Sequence, residues 1–181
     1  MSRPSRPRLT ACLRRFALRP ALSPIARPVS DQAEHAIADV AADDPPRLDG
    51  GPFHVVVCQL VISIIGTIRQ RANLLRHVHD VLRPSGHLFL SASGVSGTIN
   101  AGYARLYAED LHLTGERHTY LSRDAGGEVL YATHHFSADE LASLLEAAGF
   151  EEISVMTEKE TSSRRPDEAA FFLDATCRSP R

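Results

Sequence analysis

The chain has 181 residues, 43% of them hydrophobic, and a formal net charge of −2. That is enough apolar material for one core of ordinary size, without the basic excess of a protein that tracks a nucleic acid backbone. Cys12, Cys58 and Cys177 form an odd, widely spaced set that suits neither a disulfide framework nor a zinc knuckle. No apolar run reaches the roughly 18 to 20 residues of a membrane span, so a cytoplasmic setting with no membrane partner is expected.

Residues 1–30 carry seven Arg, five Pro and no Asp or Glu, whereas the remainder is balanced in charge. This basic segment admits three readings: an arm without fixed structure, an Arg- and Ser-rich transit peptide, or a displaced start in a gene whose first part is missing or out of frame. The last is preferred for the reasons below. Residues 31–181 are expected to form a single α/β domain. Its first readable loop is the Asp-, Pro- and Gly-rich run that ends at Gly51.

FHVVVC, residues 53–58, is rich in β-branched residues without alternation, the pattern of a parallel strand covered on both faces. Gln59 then opens an apolar lead-in, LVISIIG. Residues 69–82 place Leu74, Leu75, Val78, Val81 and Leu82 at helical spacing, and RPSG ends that helix before a second strand, HLFLSAS. A long segment at about 94–135 follows. Within it, TYLSRDAGGEVLYATHH has the look of two strands joined at Asp124–Gly127. SADELASLLEAAGF is the clearest helix, with Ser137 and Glu140 at capping-box spacing and Gly149 as its C-terminal glycine. EEISVMTE and EAAFFLDATCR read as two strands. Their link is too short for a crossover helix, so they should form an antiparallel hairpin at the edge of an otherwise mostly parallel sheet.

In that order, these stretches resemble the C-terminal half of a class I S-adenosylmethionine-dependent methyltransferase, from about Ala36 onward. FHVVVCQLVISI is similar to the family's fourth strand, LRPSGHLFLS to its fifth, HHFSADELASLLEAAGFEEISV to its late helix and sixth strand, and TSSRRPDEAAFFLDATCR to its seventh. The resemblance implies an incomplete Rossmann-like sheet, S-adenosylmethionine as cofactor, and methyl transfer to a small-molecule acceptor. Ligands of open α/β sheets sit beyond the carboxyl ends of strands, which places Cys58, Gln59 and Leu60 at the cofactor cleft. IADV, residues 37–40, resembles the end of the third strand. Asp39 there is the candidate acceptor for the adenine amino group, with Asp43 as a neighbour suited to the same role.

The departures shape the expectation. Residues 1–30 contain no Gly, where the family keeps a glycine-rich turn against the cofactor. ALSPIA, residues 21–26, is similar to the second-strand ending that carries a ribose-binding acid, and Ala21 stands in place of the acid. His54 stands where the fourth strand usually has Asp. A truncated or frame-disrupted methyltransferase is therefore expected, with an uncovered sheet edge open to self-association. The alternative is a non-catalytic binding or interaction protein on the same scaffold. An unrelated response-regulator-like domain would need an acidic cluster at strand ends, and Asp43 and Asp44 lie in a Pro-containing loop.

The segment at 94–135 is the expected substrate side. It holds all four tyrosines of the chain, Tyr103, Tyr107, Tyr120 and Tyr131, together with His112, His118, His134 and His135. Tyrosines offer amphipathic walls to a small organic molecule, and a His can take a proton from a hydroxyl or amine near neutral pH. His134, His135 and Tyr103 are the candidates for catalytic contact. Equally, His134 and His135 fit a helix lead-in with one ring buried and one exposed. Arg117 and Arg123 fit either a contact to an acidic group or a solvated loop, and Arg164 and Arg165 fit a solvated hairpin tip. Two His at positions 77 and 79 point to different helix faces, so no metal site is expected.

Overall fold

The computed structural model describes residue 39 and residues 41–43, 51–162 and 165–181. The basic segment 1–30, Ala21, Arg164 and the remainder of IADV lie outside the described residues.

Among the described residues, six strands and three α-helices follow in chain order: β1 (Phe53–Gln59), α1 (Ile68–Val81), β2 (Leu82–Gly94), α2 (Ala101–Thr114), β3 (Thr119–Arg123), β4 (Val129–His134), α3 (Ala138–Ala147), β5 (Glu151–Ser162) and β6 (Arg165–Arg178). The main sheet has the order β1-β2-β6-β5. β1 and β2 are parallel, and β6 is antiparallel to both β2 and β5. Three strands therefore run one way and β6 alone runs back. The expected C-terminal hairpin is present, but β6 lies inside the sheet against β2 and β5 forms the edge. β3 and β4 make a separate antiparallel hairpin.

The core lies on one face of the main sheet. Val56 and Cys58 of β1, Leu88, Leu90 and Ala92 of β2, and Leu173, Ala175 and Cys177 of β6 are buried in one cluster with Leu74, Leu75 and Val78 of α1 and Leu141 and Leu145 of α3. The alternate residues point the other way: Val57 is 41% exposed, and Phe89 and Met156 are more so. This corrects the expectation of a first strand covered on both faces. Both helices pack on the same side, so among the described residues β1 follows a one-sided alternation of burial.

Two boundaries also move. β1 runs through Gln59 instead of stopping at Cys58, and β2 begins at Leu82, directly after α1, instead of after Gly86. Leu82 pairs with Phe53, and the next pair is His87 with Val55, so LRPSG is a bulge within the strand. Ser85 takes the left-handed conformation, φ 60°, and its N–H reaches the carbonyls of Ser179 and Pro180 at 3.1 Å.

Helix ends follow local chemistry. Ser137 accepts the Glu140 N–H at 3.1 Å, and Gly149 at φ 94° lies just past the end of α3. α2 is an element that hydrophobic spacing does not announce, because Asp110 is its one buried residue. Its start is set by Asn100, whose side chain accepts from the Gly102 N–H at 2.9 Å. Among the described residues, no helix is long and apolar enough to cross a membrane.

Candidate functional site

The parallel strands β1 and β2 bring their carboxyl ends to the same end of the sheet. Gln59 closes β1 with its side chain exposed. Leu60 then bends the chain at φ 57°, and its N–H is held by the Ser91 carbonyl at 3.0 Å and the Ser91 hydroxyl at 3.2 Å. The turn is fastened again where the buried Ser63 hydroxyl accepts the Ser93 N–H at 2.8 Å. Cys58 faces inward. Burial pushes its thiol up to about 11, against a hydrogen bond with the Ile62 backbone, so only the backbone of Cys58 is at the lip. Asp39 is exposed and accepts the Ala41 N–H at 3.1 Å in a local turn. Asp43 is committed to α1 by Asn73 at 2.9 Å and Arg69 at 3.3 Å.

A cluster of rings hangs beside the end of β2. The Phe136 N–H reaches the Ser93 carbonyl at 2.8 Å, and the Val95 N–H reaches the Phe136 carbonyl at 2.9 Å. These bonds lay the segment before α3 along the strand end and bury His135 there, 3% exposed. Tyr107 Oη meets His135 Nδ1 at 2.7 Å and accepts the Ser96 N–H at 3.4 Å. The ring centroid of Tyr103 is 4.7 Å from that of His135, and the Tyr120 centroid is 5.4 Å from it. His118 stands edge-on to Tyr107 at 5.5 Å.

Burial, followed by the charges of His134 and His118, lowers His135 to about 4, against a hydrogen bond with the Gly94 backbone. Burial also raises Tyr107 to about 12. Tyr107 is therefore the donor and neutral His135 the acceptor at Nδ1. Three of the four tyrosines converge here, while Tyr131 is exposed on β4.

His134, equally buried at 3%, belongs to a different network. Its Nδ1 meets Thr119 Oγ1 at 2.7 Å, and its Nε2 meets Glu140 Oε1 at 2.9 Å. Glu116 lies 3.9 Å from Nδ1 and pairs with Arg71, whose side chain is 1% exposed. Arg71 also donates to the Ile65 carbonyl at 3.1 Å. Glu140 thus forms only half of the expected capping box, because its carboxylate turns to His134 instead of to the Ser137 N–H. Its pKa is lowered by that imidazole, despite the opposing desolvation.

The structure therefore brings His135 and Tyr103 together, sends His134 into a separate hydrogen-bond network, and buries both histidines where one was expected to be exposed. The ring nitrogens of His134 are both engaged by Thr119 and Glu140. His118 was among the histidines counted in the segment but was not singled out. It combines a left-handed backbone, φ 59°, with a pKa lowered by burial. Arg123 forms a two-bond pair with the buried Asp110, at 2.6 and 3.0 Å, so its expected alternatives are settled in favour of a structural pair. Among the described residues, no group of three His, Cys, Asp or Glu comes together to hold a metal.

The donor set tests the fit of a nucleoside cofactor. The Gln59 carboxamide offers both a donor and an acceptor, and the fixed turn at Leu60 holds it at the strand end. These groups suit a nucleoside edge. The first glycine of the chain is Gly50, just before β1.

A family model described as a methyltransferase domain matches residues 14–155. Among curated proteins nothing matches the chain. Among solved structures, a SAM-dependent methyltransferase from Methanosarcina mazei is similar at 23% identity with a TM-score of 0.64, over 72% of this chain and 60% of that one. A 1,6-didemethyltoxoflavin-N1-methyltransferase from Burkholderia thailandensis, with S-adenosylhomocysteine bound, is similar at 20% identity with a TM-score of 0.47, over 75% of this chain and 48% of that one. The chain thus spans 60% of the length of the first structure and 48% of the second. The fold is that of the Methanosarcina mazei structure, and the family match, over most of the chain, places it in the methyltransferase domain family, to which it belongs.

Proposed function

We propose that this chain takes part in methyl transfer from S-adenosylmethionine to a small organic molecule, with residues 94–135 as the acceptor side. The observation that supports this reading is the placement of the Tyr103, Tyr107, Tyr120 and His135 rings at the carboxyl end of β2, beside the fixed turn after Gln59. Gln59, with the backbone of Cys58 and Leu60, would hold the nucleoside, and the exposed Asp39 carboxylate would accept from its amino group. When bound, the cofactor supplies an electrophilic methyl group. The protein's contribution is to align the acceptor with it.

In this scheme Tyr103 and Tyr120 are walls and Tyr107 is held by His135. That imidazole is a positioning group and not a base, since Tyr107 donates to one nitrogen and the Gly94 backbone engages the ring as well. His118 is the imidazole of the cluster that makes no hydrogen bond through its ring among the described residues. It is neutral at pH 7 and is the group able to take an acceptor's proton.

The absence of glycine before Gly50 and the presence of Ala21 favour a second reading, a methyltransferase-like binding protein without catalysis that self-associates through the outer edge of β1 in a cytoplasmic setting. Calorimetric titration of the full chain with S-adenosylhomocysteine decides between them. Micromolar affinity supports the first reading. No heat at millimolar ligand, with the fold intact by circular dichroism, supports the second.

A further inference from the structure

Beside the ring cluster, on the other side of His118, a cavity of about 340 Å³ opens at the N-termini of α1 and α3. Arg71, Glu116, Arg117, His118, Ser137 and Glu140 line it. Its charge balance follows from what each group already binds. Glu116 is spent, because one oxygen takes the Ile68 N–H at 3.1 Å and the other the Arg71 guanidinium. Glu140 is engaged by His134 Nε2 at 2.9 Å. The donors are less committed. Arg117 is exposed, and its guanidinium makes no hydrogen bond or ion pair among the described residues. The Ser137 hydroxyl uses its oxygen to accept the Glu140 N–H, which leaves its own proton to donate. Arg71 keeps a fully buried Nε with no acceptor.

Two arginines against two carboxylates cancel to zero. The N-terminal ends of α1 and α3 add a partial positive charge of roughly half a unit each. The cavity therefore has surplus donors and positive potential, and its size falls within the usual range for a small-molecule site.

We infer that this cavity is a subsite for an oxyanion, a carboxylate or phosphate group of a small molecule, anchored by Arg117 and the Ser137 hydroxyl. A planar guanidinium suits both anions through paired, charge-assisted hydrogen bonds. His118 joins the subsite to the ring cluster, since its ring lines the cavity and also stands 5.5 Å from Tyr107. Its φ of 59° is a conformation that a non-glycine residue keeps only when its surroundings enforce it. Here the His118 carbonyl is fixed by the His135 N–H at 2.9 Å. That the anion is the tail of the methyl acceptor rests on the reading above; that the cavity takes an oxyanion does not.

The test is a titration of the full chain, followed through the amide and imidazole resonances of residues 117, 118 and 137, with sodium propionate, inorganic phosphate, propanamide and propylammonium chloride. Propionate or phosphate should shift these resonances saturably, and the stronger of the two assigns the source of the anion. Propanamide and propylammonium should leave them in place. Arg117→Ala, at an exposed position, should weaken anion binding by roughly tenfold, whereas Glu140→Gln should leave it equal or tighter. Saturable binding of propylammonium in place of propionate, or an Arg117→Ala protein that binds propionate as the parent does, overturns the inference. If S-adenosylhomocysteine binds and both anions are silent, the methyl-transfer reading stands and this subsite falls. If the anions bind and S-adenosylhomocysteine does not, the subsite stands alone.

Discussion

At the carboxyl end of β1 the chain offers an exposed Gln59, a short turn and little else. Around the ring cluster and the cavity beside it, most polar groups are bonded to one another. The first region is one exposed side chain on a turn whose backbone is held by Ser91 and Ser63. The second contains Arg71, Glu116, His134 and Glu140 in one network and Tyr107 with His135 in another. The contrast separates two jobs. Residues that hold one another at fixed positions are costly to remove but need not touch a ligand, while residues that face solvent cost little to remove and owe their place to what binds there.

The largest effect is expected at Arg71. Replacing this fully buried cation with Met leaves Glu116 and the Ile65 carbonyl without their donor. Loss of one partner of a buried pair typically costs about 3 kcal/mol or more. Urea unfolding should show that loss, and a drop below about 1 kcal/mol would mean that the network is not the brace described here.

The two neighbouring histidines sharpen the comparison through pH. His135 sits at about 4 in the folded chain against an ordinary 6.5. Between these values the unfolded chain binds a proton that the folded chain refuses. The stabilisation is therefore complete above pH 6.5 and is lost as pH falls towards 4, by about 3 kcal/mol in total. His118, also lowered by burial, acts in the same direction. Asp110 and Glu140, both lowered, add their own losses only within the carboxylate range below. His135→Gln should flatten stability between pH 6.5 and 4. An unchanged slope in that variant would remove His135 as its source.

Much of the frame was legible because its signals are local. Ser137, Glu140 and Gly149 mark α3 by capping chemistry, and the short link between the last two strands forces a hairpin. What was not legible depends on partners distant in sequence. FHVVVC reads as doubly covered because three valines in a row hide which face meets α1 and α3. α2 escaped because Asp110, its buried residue, is polar, and its reason for burial, Arg123, lies 13 positions on. The site divides the same way. Gln59 at a strand end follows from the pattern of the sheet, but no spacing rule separates His134 from His135. They are adjacent, equally buried, and assigned to different networks only by Thr119 and Glu140 on one side and Tyr107 on the other.

A middle-sized effect is expected at Asp110, which holds α2 to β3 by accepting the Leu121 N–H at 2.8 Å and two bonds from Arg123. Asp110→Asn keeps the shape but removes the charge from these bonds, so a loss of about 2 kcal/mol is expected in thermal or urea unfolding. A neutral result would show that the insert is held by its rings alone.

The smallest structural effect and the sharpest functional one should coincide at Gln59. The side chain is exposed, and the turn after it is fastened by the backbone of Leu60 and the hydroxyls of Ser91 and Ser63, not by the carboxamide. Gln59→Ala should therefore change unfolding stability by no more than about 0.5 kcal/mol, the ordinary range for surface positions. If the carboxamide contacts the nucleoside, the same substitution should weaken S-adenosylhomocysteine by roughly tenfold, the equivalent of one good hydrogen bond. Ser91→Ala makes the converse variant, since it loosens the turn while leaving Gln59 in place. Affinity lost in Gln59→Ala and largely kept in Ser91→Ala would assign the contact to the side chain. The reverse order would assign it to the backbone of the Leu60 turn, leaving Gln59 as the polar end of a strand.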